Sequence, residues 1–317
     1  MNSKYKRVII ACPGDGVSGG PELLHQLGTE LRELGCDAYM AYLPTEQSFS
    51  CPEPYKKYGV PQGALVDEPG VAVVLPEIYT GKALQFKASQ AIVWWLSVDV
   101  YLKMYSSLKN RLFSFVGKLS DDTASLAALK PLKHMAQSQY ALDFLERNGL
   151  EATFLSDYLS DEHFQAKPVA ATRKNIIIYN PTKGIKQTNK LIQTYHNYQF
   201  LPLRGFTSEQ VHAALSSAKL YIDFGHHPGK DRMPREAAIA GCCIITNLKG
   251  SAKFNDVEIP PRYKLDDSKK DFVKQFGQLA KLVMENFDFY ARDFEEYRQK
   301  IREEQQSFIQ DVRFNFF

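Results

Sequence analysis

KLYIDFG (219–225), HHPGKDRM (226–233), PREAAIAG (234–241) and CCIITN (242–247) follow one another without a break. The first and last are apolar runs of strand length, one closed by Gly225 and the other opened by Cys242-Cys243. Between them a charged loop leads to a Pro-initiated, Ala-rich stretch stopped by Gly241. Proline suits the first helical turn because its missing N–H has no helical partner there, and glycine suits the position after the last turn. The segment therefore predicts strand, loop, helix from Pro234, and strand. Such a unit makes a parallel pair buried on both faces.

The same grammar extends in both directions. KNIIIYNPTKG (174–184), QFLPL (199–203) and an amphipathic helix near 207–217 precede the segment. In the first half RVIIAC (7–12), DAYMAYL (37–43), VAVVLPE (71–77) and AIVWWLSVD (91–99) read as strands. A helix striped by Leu24, Leu27, Leu31 and Leu34 follows the first of them, and another begins at His134 in HMAQSQYALDFL. The expected fold is α/β, with two Rossmann-like parallel-sheet domains facing a cleft. The polar, proline-broken stretch 156–172 separates residues 1–160 from 161–290. Residues 291–317 form a long charged helix expected to pack back across the junction. Ligands of open parallel sheets bind outside the carboxyl ends of the strands, so residues just after strands are the ones to weigh.

Composition narrows the classes. Lys+Arg 39 against Asp+Glu 36 gives +3 over 317 residues, without the basic excess of a nucleic-acid binder. The 44% hydrophobic content excludes a disordered chain. No apolar run reaches the about 18 residues of a membrane-spanning helix. Five cysteines without CxxC spacing signal neither a disulfide framework nor zinc, and fit a reducing, cytoplasmic setting. His226 and His227 lack a third ligand at helical or strand spacing, so no metal site is expected. Cys242 and Cys243 are read as buried strand residues, and Trp94 and Trp95 as core.

Several motifs carry chemistry. Gly14-Asp15-Gly16-Val17-Ser18-Gly19 matches GxGxxG after a strand and before a helix. The acid wanted at the second strand's end is displaced to Glu46, behind Pro44, so a dinucleotide site is the weaker reading and a turn open to another ligand the stronger. Lys230, Arg232 and Arg235 flank a helix start, an arrangement that favours an anion. A nearby carboxylate, Glu236, is suited to accept hydrogen bonds from ribose hydroxyls. Lys183 in Asn180-Pro181-Thr182-Lys183-Gly184 and Arg204 after QFLPL stand at successive strand ends, placed to meet one diphosphate. Each charge-assisted contact contributes about 1.5–3 kcal/mol. Lys186 reads as a surface residue. Glu77 and Asp99 are first-half acids at strand ends, with orienting an acceptor hydroxyl and capping a helix as alternative roles. Tyr101, Tyr105, Leu108, Leu112, Phe115 and Leu119 share one stripe of a segment carrying Lys103, Lys109, Arg111 and Lys118. An anionic membrane surface or ordinary packing on the sheet accounts equally for 101–119.

PREAAIAGC followed by IITNLKGSA resembles the C-terminal donor-binding signature of GT-B glycosyltransferases, particularly the retaining group that shares the family 4 arrangement. Glu236 and Gly241 match its ribose-holding positions, while Pro228 stands where that group has an earlier Glu. Gly19-Gly20-Pro21-Glu22 with its leucine-striped helix resembles the group's N-terminal loop and first helix. The resemblance implies sugar transfer from a nucleotide-sugar to a glycan or lipid-linked acceptor in surface polysaccharide synthesis, retaining and metal-independent, with the nucleotide-sugar as substrate rather than cofactor. It implies donor contacts from Gly19, Gly20, Asn180, Lys183, Arg204, His227, Lys230, Asp231, Arg232 and Glu236. Lys183, Arg204 and Arg232 would stabilise the departing diphosphate in place of a metal, and Asp99 would be the acceptor-side acid. A non-catalytic nucleotide-sugar or glycan-binding subunit and an NAD(P)-dependent oxidoreductase are the alternatives.

Overall fold

The computed structural model describes residues 3–106, 123–164 and 173–317. Two compact units emerge, one of residues 1–157 with 306–317 and the other of 158–305. The membrane-surface stretch is described only through 106, so its basic residues Lys109, Arg111 and Lys118 lie outside the described residues. No described helix is long and apolar enough to cross a membrane.

In the first unit, β1 (Arg7–Pro13) leads to α1 (Gly19–Glu33), whose Leu24, Leu27 and Leu31 are fully buried. β2 (Ala38–Leu43), β3 (Val71–Pro76) and β4 (Gln90–Trp95) follow, then α2 (Val98–Tyr105), β5 (Lys133–Ala136), α3 (Gln139–Arg147) and β6 (Thr153–Phe154). The sheet is parallel in the order β2-β1-β3-β4-β5-β6. Its core joins Ile9, Val73, Val93 and Trp95 to Tyr101 and Leu145. Both tryptophans are fully buried.

The second unit contains β7 (Lys174–Tyr179), α4 (Ile185–Thr194), β8 (Gln199–Pro202), α5 (Ser208–Ser217), β9 (Ala218–Asp223), α6 (Arg232–Ile239) and β10 (Cys243–Thr246). Next come α7 (Phe272–Glu285) and the long helix α8 (Glu295–Phe316). Its sheet is parallel in the order β10-β9-β7-β8. Thr207 and Gln210 form a reciprocal capping box that starts α5, satisfying two otherwise orphaned N–H groups. Ile177, Tyr221, Ile222 and Ile244 from three adjacent strands are completely buried, as parallel strands covered on both faces must be. Cys242 and Cys243 are buried free thiols, pushed up by burial to about 11 and about 12. The last turns of α8 belong to the first unit, where Lys4 N donates to Phe316 O at 2.8 Å and Asn315 Nδ2 to Phe154 O at 3.0 Å.

Three sequence expectations are corrected. The run 91–99 is not one strand: β4 stops at Trp95, Ser97 caps α2 by accepting from Val100 N (3.3 Å), and Asp99 lies inside the helix's first turn. Nor does His134 open a helix, because it is a buried residue of β5, and α3 begins only at Gln139 behind the cap Ser138. Trp95 Nε1 donates to His134 Nδ1 at 3.2 Å, and Leu129 O lies 3.0 Å from His134 Nε2. Finally, the helix expected from Pro234 begins at Arg232, with Asp231 at its N-cap.

Candidate functional site

The order β10-β9-β7-β8 reverses direction between β7 and β9. The chain steps outward from β7 to β8 and then crosses back to add β9 on the other side. A sheet opens a crevice outside its strand ends at such a reversal. The residues there are Asn180–Gly184 after β7 and Phe224–Asp231 after β9.

Close backbone approach builds this corner. Gly184, the N-cap of α4, has φ +67°, and a Cβ on it would sit 2.4 Å from Gly225 N. A Cβ on Gly225 would in turn sit 2.5 Å from Lys183 Cγ. Two glycines thus let the Lys183 stem lie over the end of β9. Asn180 steadies the loop, its Oδ1 accepting from Thr182 N (2.9 Å) and Thr182 Oγ1 (2.6 Å).

Lys183 points inward. Its ammonium is 3.2 Å from Asp223 Oδ2 and donates to Asp231 Oδ2. Burial lowers its pKa, and the charges of Asp223 and Asp231 more than offset this, leaving it raised. Asp223 is buried, accepting from Gly225 N at 2.9 Å and from Tyr221 OH at 3.1 Å. Burial drives the Tyr221 hydroxyl well above its ordinary value, with Asp223 adding to the effect. Burial alone would raise the Asp231 carboxyl, but His227 and Lys183 hold it below its ordinary value. His227 is fully buried, with Nδ1 2.6 Å from Asp231 Oδ2 and Nε2 3.8 Å from Asp223 Oδ1.

The three cations flanking α6 do not form one exposed anion site. Lys230 Nζ lies 2.9 Å and Arg235 Nη1 2.8 Å from the carboxylate of Glu304 on α8. Arg235 is 1% exposed and also donates to the carbonyls of Asp231 (3.4 Å) and Lys230 (3.2 Å). These two residues anchor α6 to α8. Arg232 is half exposed and lies 2.7 Å from Glu236 Oε1, which also sits 3.7 Å from His163 Nδ1. Glu236 and its ribose-accepting oxygen are therefore already engaged by a cation. Arg204, exposed at the end of β8, stands on the neighbouring strand to Lys183 and makes no ion pair among the described residues. Lys186 is exposed.

In the first unit, Asp99 accepts from Tyr140 OH (3.1 Å), which tethers α2 to α3 and leaves the carboxylate in a favourable place for the helix dipole. Its role as an acceptor-side acid was inferred from a strand end it does not occupy. Glu77 does occupy one. It is buried just after β3, and its Oε2 accepts from Leu96 N at 2.9 Å across to the end of β4. Gly19 and Gly20 begin α1, where an added Cβ meets nothing within 4 Å at Gly19 and only Leu96 Cδ1 at 3.7 Å at Gly20. In contrast, Gly14 is required by packing, since a Cβ there would lie 2.2 Å from the Phe49 ring.

Asp223 escaped sequence reasoning because it ends an apolar strand and reads as part of it. An acid closing an apolar strand two residues before a Gly was the available signal. Glu304 had none, as its partner Arg235 lies 69 residues away.

No family model matches the chain, and no curated protein matches it. Solved structures do resemble it over nearly the whole length. Sucrose-phosphate synthase from Thermosynechococcus elongatus is similar with a TM-score of 0.68 at 12% identity, covering 97% of each chain. HepE of Anabaena in complex with UDP gives 0.67 at 13% identity, covering 98% of this chain and 99% of that one. The chain has the GT-B fold. The catalytic domain of starch synthase IV from Arabidopsis thaliana, bound to ADP and acarbose, is similar at 0.58 and 10% identity, covering 98% of this chain and all of that one.

Proposed function

We propose that the protein is a glycosyltransferase that takes its sugar from a nucleoside-diphosphate donor held at the β7–β9 corner of the second unit. The carrying observation is Lys183, an ammonium fixed at the switch point of a parallel sheet by two glycines that bring neighbouring loops together. Support comes from the fold, shared with HepE bound to UDP and starch synthase IV bound to ADP.

The chemistry follows from the corner. Breaking the bond between the sugar and the diphosphate leaves negative charge on the departing phosphate oxygen, and a nearby cation lowers that barrier. Arg204, exposed at the end of β8, and Lys183, once it exchanges Asp223 and Asp231 for phosphate oxygens, supply positive charge where other transferases use a metal. Glu236, with Arg232, orients the ribose. Asn180 and Gly184 shape the turn that presents Lys183. The resemblance of PREAAIAGC to the family 4 signature supports a retaining transfer and an acceptor of glycan or lipid-linked type in surface polysaccharide synthesis. The first unit then receives the acceptor, with Glu77 just after β3 and Asp99 in the first turn of α2 as its candidate acids. Basic residues 103–118 support contact with an anionic membrane from the cytoplasmic side. Liposome co-sedimentation that weakens in a Lys109→Glu/Arg111→Glu variant is the expected result, and unchanged sedimentation refutes that contact.

Incubation with a panel of nucleoside-diphosphate sugars, followed by NMR for released nucleotide, tests the activity. Release of nucleoside diphosphate from one donor, abolished in Lys183→Ala, is expected. Donor binding without release with any acceptor would instead make the protein a sugar-nucleotide binding subunit. A response to reduced nicotinamide dinucleotide alone would favour the GxGxxG turn.

A further inference from the structure

Around Lys183 the second unit gathers a set of side chains with the donor atoms of a metal site. Asp223, His227 and Asp231 each offer a ligand atom, all within 4.8 Å of one another. Asp223 and His227 have side chains with no exposure, and Asp231 keeps 18%. Nδ1 of this fully buried imidazole is engaged by Asp231 at 2.6 Å, whereas Nε2, 3.8 Å from Asp223 Oδ1, has no hydrogen-bond partner among the described residues and forfeits its solvation. The backbone that carries the ring is itself held in place. Ser251 N donates to His227 O at 2.9 Å, and Gly250, at φ +57°, admits that carbonyl where a Cβ would lie 2.0 Å from it. Asp223 is oriented independently by Gly225 N and Tyr221 OH. A histidine fixed from behind and facing two oriented carboxylates has the makings of a cation site.

We propose that Asp223, His227 and Asp231 bind a divalent transition-metal ion, Zn²⁺ in preference to Mg²⁺, and that the Lys183 ammonium is its built-in competitor. One imidazole nitrogen with two carboxylate oxygens is a borderline donor set suited to zinc, whereas magnesium favours oxygen ligands alone. Bonds of about 2.0–2.2 Å to a tetrahedral ion bring ligand atoms to about 3.4 Å from one another, so side-chain adjustments of about 1 Å close the set. The charges agree. Two carboxylates against one ammonium leave the corner at −1 with a neutral imidazole, and a divalent ion in place of the ammonium brings it to zero. Lys183 Nζ already sits between the same two carboxylates, 3.2 Å from Asp223 Oδ2 and donating to Asp231. The metal and the ammonium therefore exclude each other. The proposal concerns these residues whether or not the corner also binds a sugar nucleotide.

Titration of the chelator-treated full chain with ZnCl₂ by calorimetry, repeated with MgCl₂, tests it. A single saturable Zn²⁺ site without a Mg²⁺ counterpart is expected. His227→Ala and Asp231→Asn should each weaken Zn²⁺ at least about tenfold, a size of loss that altered metal sites commonly show. Lys183→Met should tighten it about tenfold or more, because two charge-assisted contacts need no longer be broken. That gain cannot arise from misfolding, which far-UV circular dichroism of the other variants also monitors. Absence of saturable Zn²⁺ binding overturns the proposal, as does binding that survives His227→Ala or is unmoved by Lys183→Met. Nucleoside-diphosphate binding measured with chelator present is a separate readout, so failure of one reading does not mimic failure of the other.

Discussion

Glu77→Gln isolates one buried carboxyl whose ionisation opposes folding. Glu77 is 3% exposed, and its Oε2 accepts from Leu96 N at 2.9 Å. Burial pushes its pKa from 4.5 to about 7, with the backbone N–H groups of Leu96, Glu77 and Ser97 offsetting only part of the rise. Well below pH 4.5 the group is protonated in both folded and unfolded chains and costs nothing. As pH rises from there toward 7, the unfolded chain releases a proton that the folded chain retains, so stability falls through this window and stays reduced above it. At about 1.36 kcal/mol for each pH unit between the two values, the full loss is about 3 kcal/mol. Glutamine keeps an acceptor for Leu96 N–H and cannot ionise. The variant should therefore match wild type well below pH 4.5 and exceed its stability by up to about 3 kcal/mol near pH 8. Urea unfolding followed by tryptophan fluorescence measures this directly, because both tryptophans lie in β4 of the same unit. A stability difference between variant and wild type that does not change with pH refutes the reasoning.

Two further substitutions probe the second unit. Glu304→Gln removes the carboxylate shared by Lys230 and buried Arg235, and should cost about 3–5 kcal/mol, as breaking one side of a buried ion pair does; thermal melting with no loss of stability would show that α6 is not held to α8 this way. Gly184→Ala forces a Cβ against Gly225 N at φ +67°, whereas Gly205→Ala meets open space at φ +70°. Both carry backbone strain of about 1–3 kcal/mol, but only Gly184→Ala should also weaken nucleoside-diphosphate binding, and equal binding in the two variants argues against the corner.

The alternation of strands and helices was legible because parallel strands buried on both faces are written as uninterrupted apolar runs. It failed where that rule weakens. β5 and β6 are short strands at one side of the sheet, and His134 with Gln137 and Ser138 gives β5 a polar, helix-start appearance. VWWLSVD kept its apolar character past the true end of β4, which only the cap formed by Ser97 marks. The cations of the site were all visible, but their partners were not. Lys230 and Arg235 look like an anion site until α8 brings Glu304 to them. Lys183 looks like a bare strand-end charge until Gly184 and Gly225 seat it against Asp223 and Asp231. Spacing along a chain identifies residues near a strand end, whereas which of them turn inward depends on elements far away in sequence.

Isothermal titration of the full chain with UDP, GDP, dTDP and ADP in the presence of chelator asks whether the β7–β9 corner holds a nucleoside diphosphate. Saturable binding of one of these diphosphates is expected, with a loss of at least tenfold in Lys183→Ala if that ammonium contributes the about 1.5–3 kcal/mol of a charge-assisted contact. Binding of none of them, or equal binding by wild type and Lys183→Ala, contradicts it.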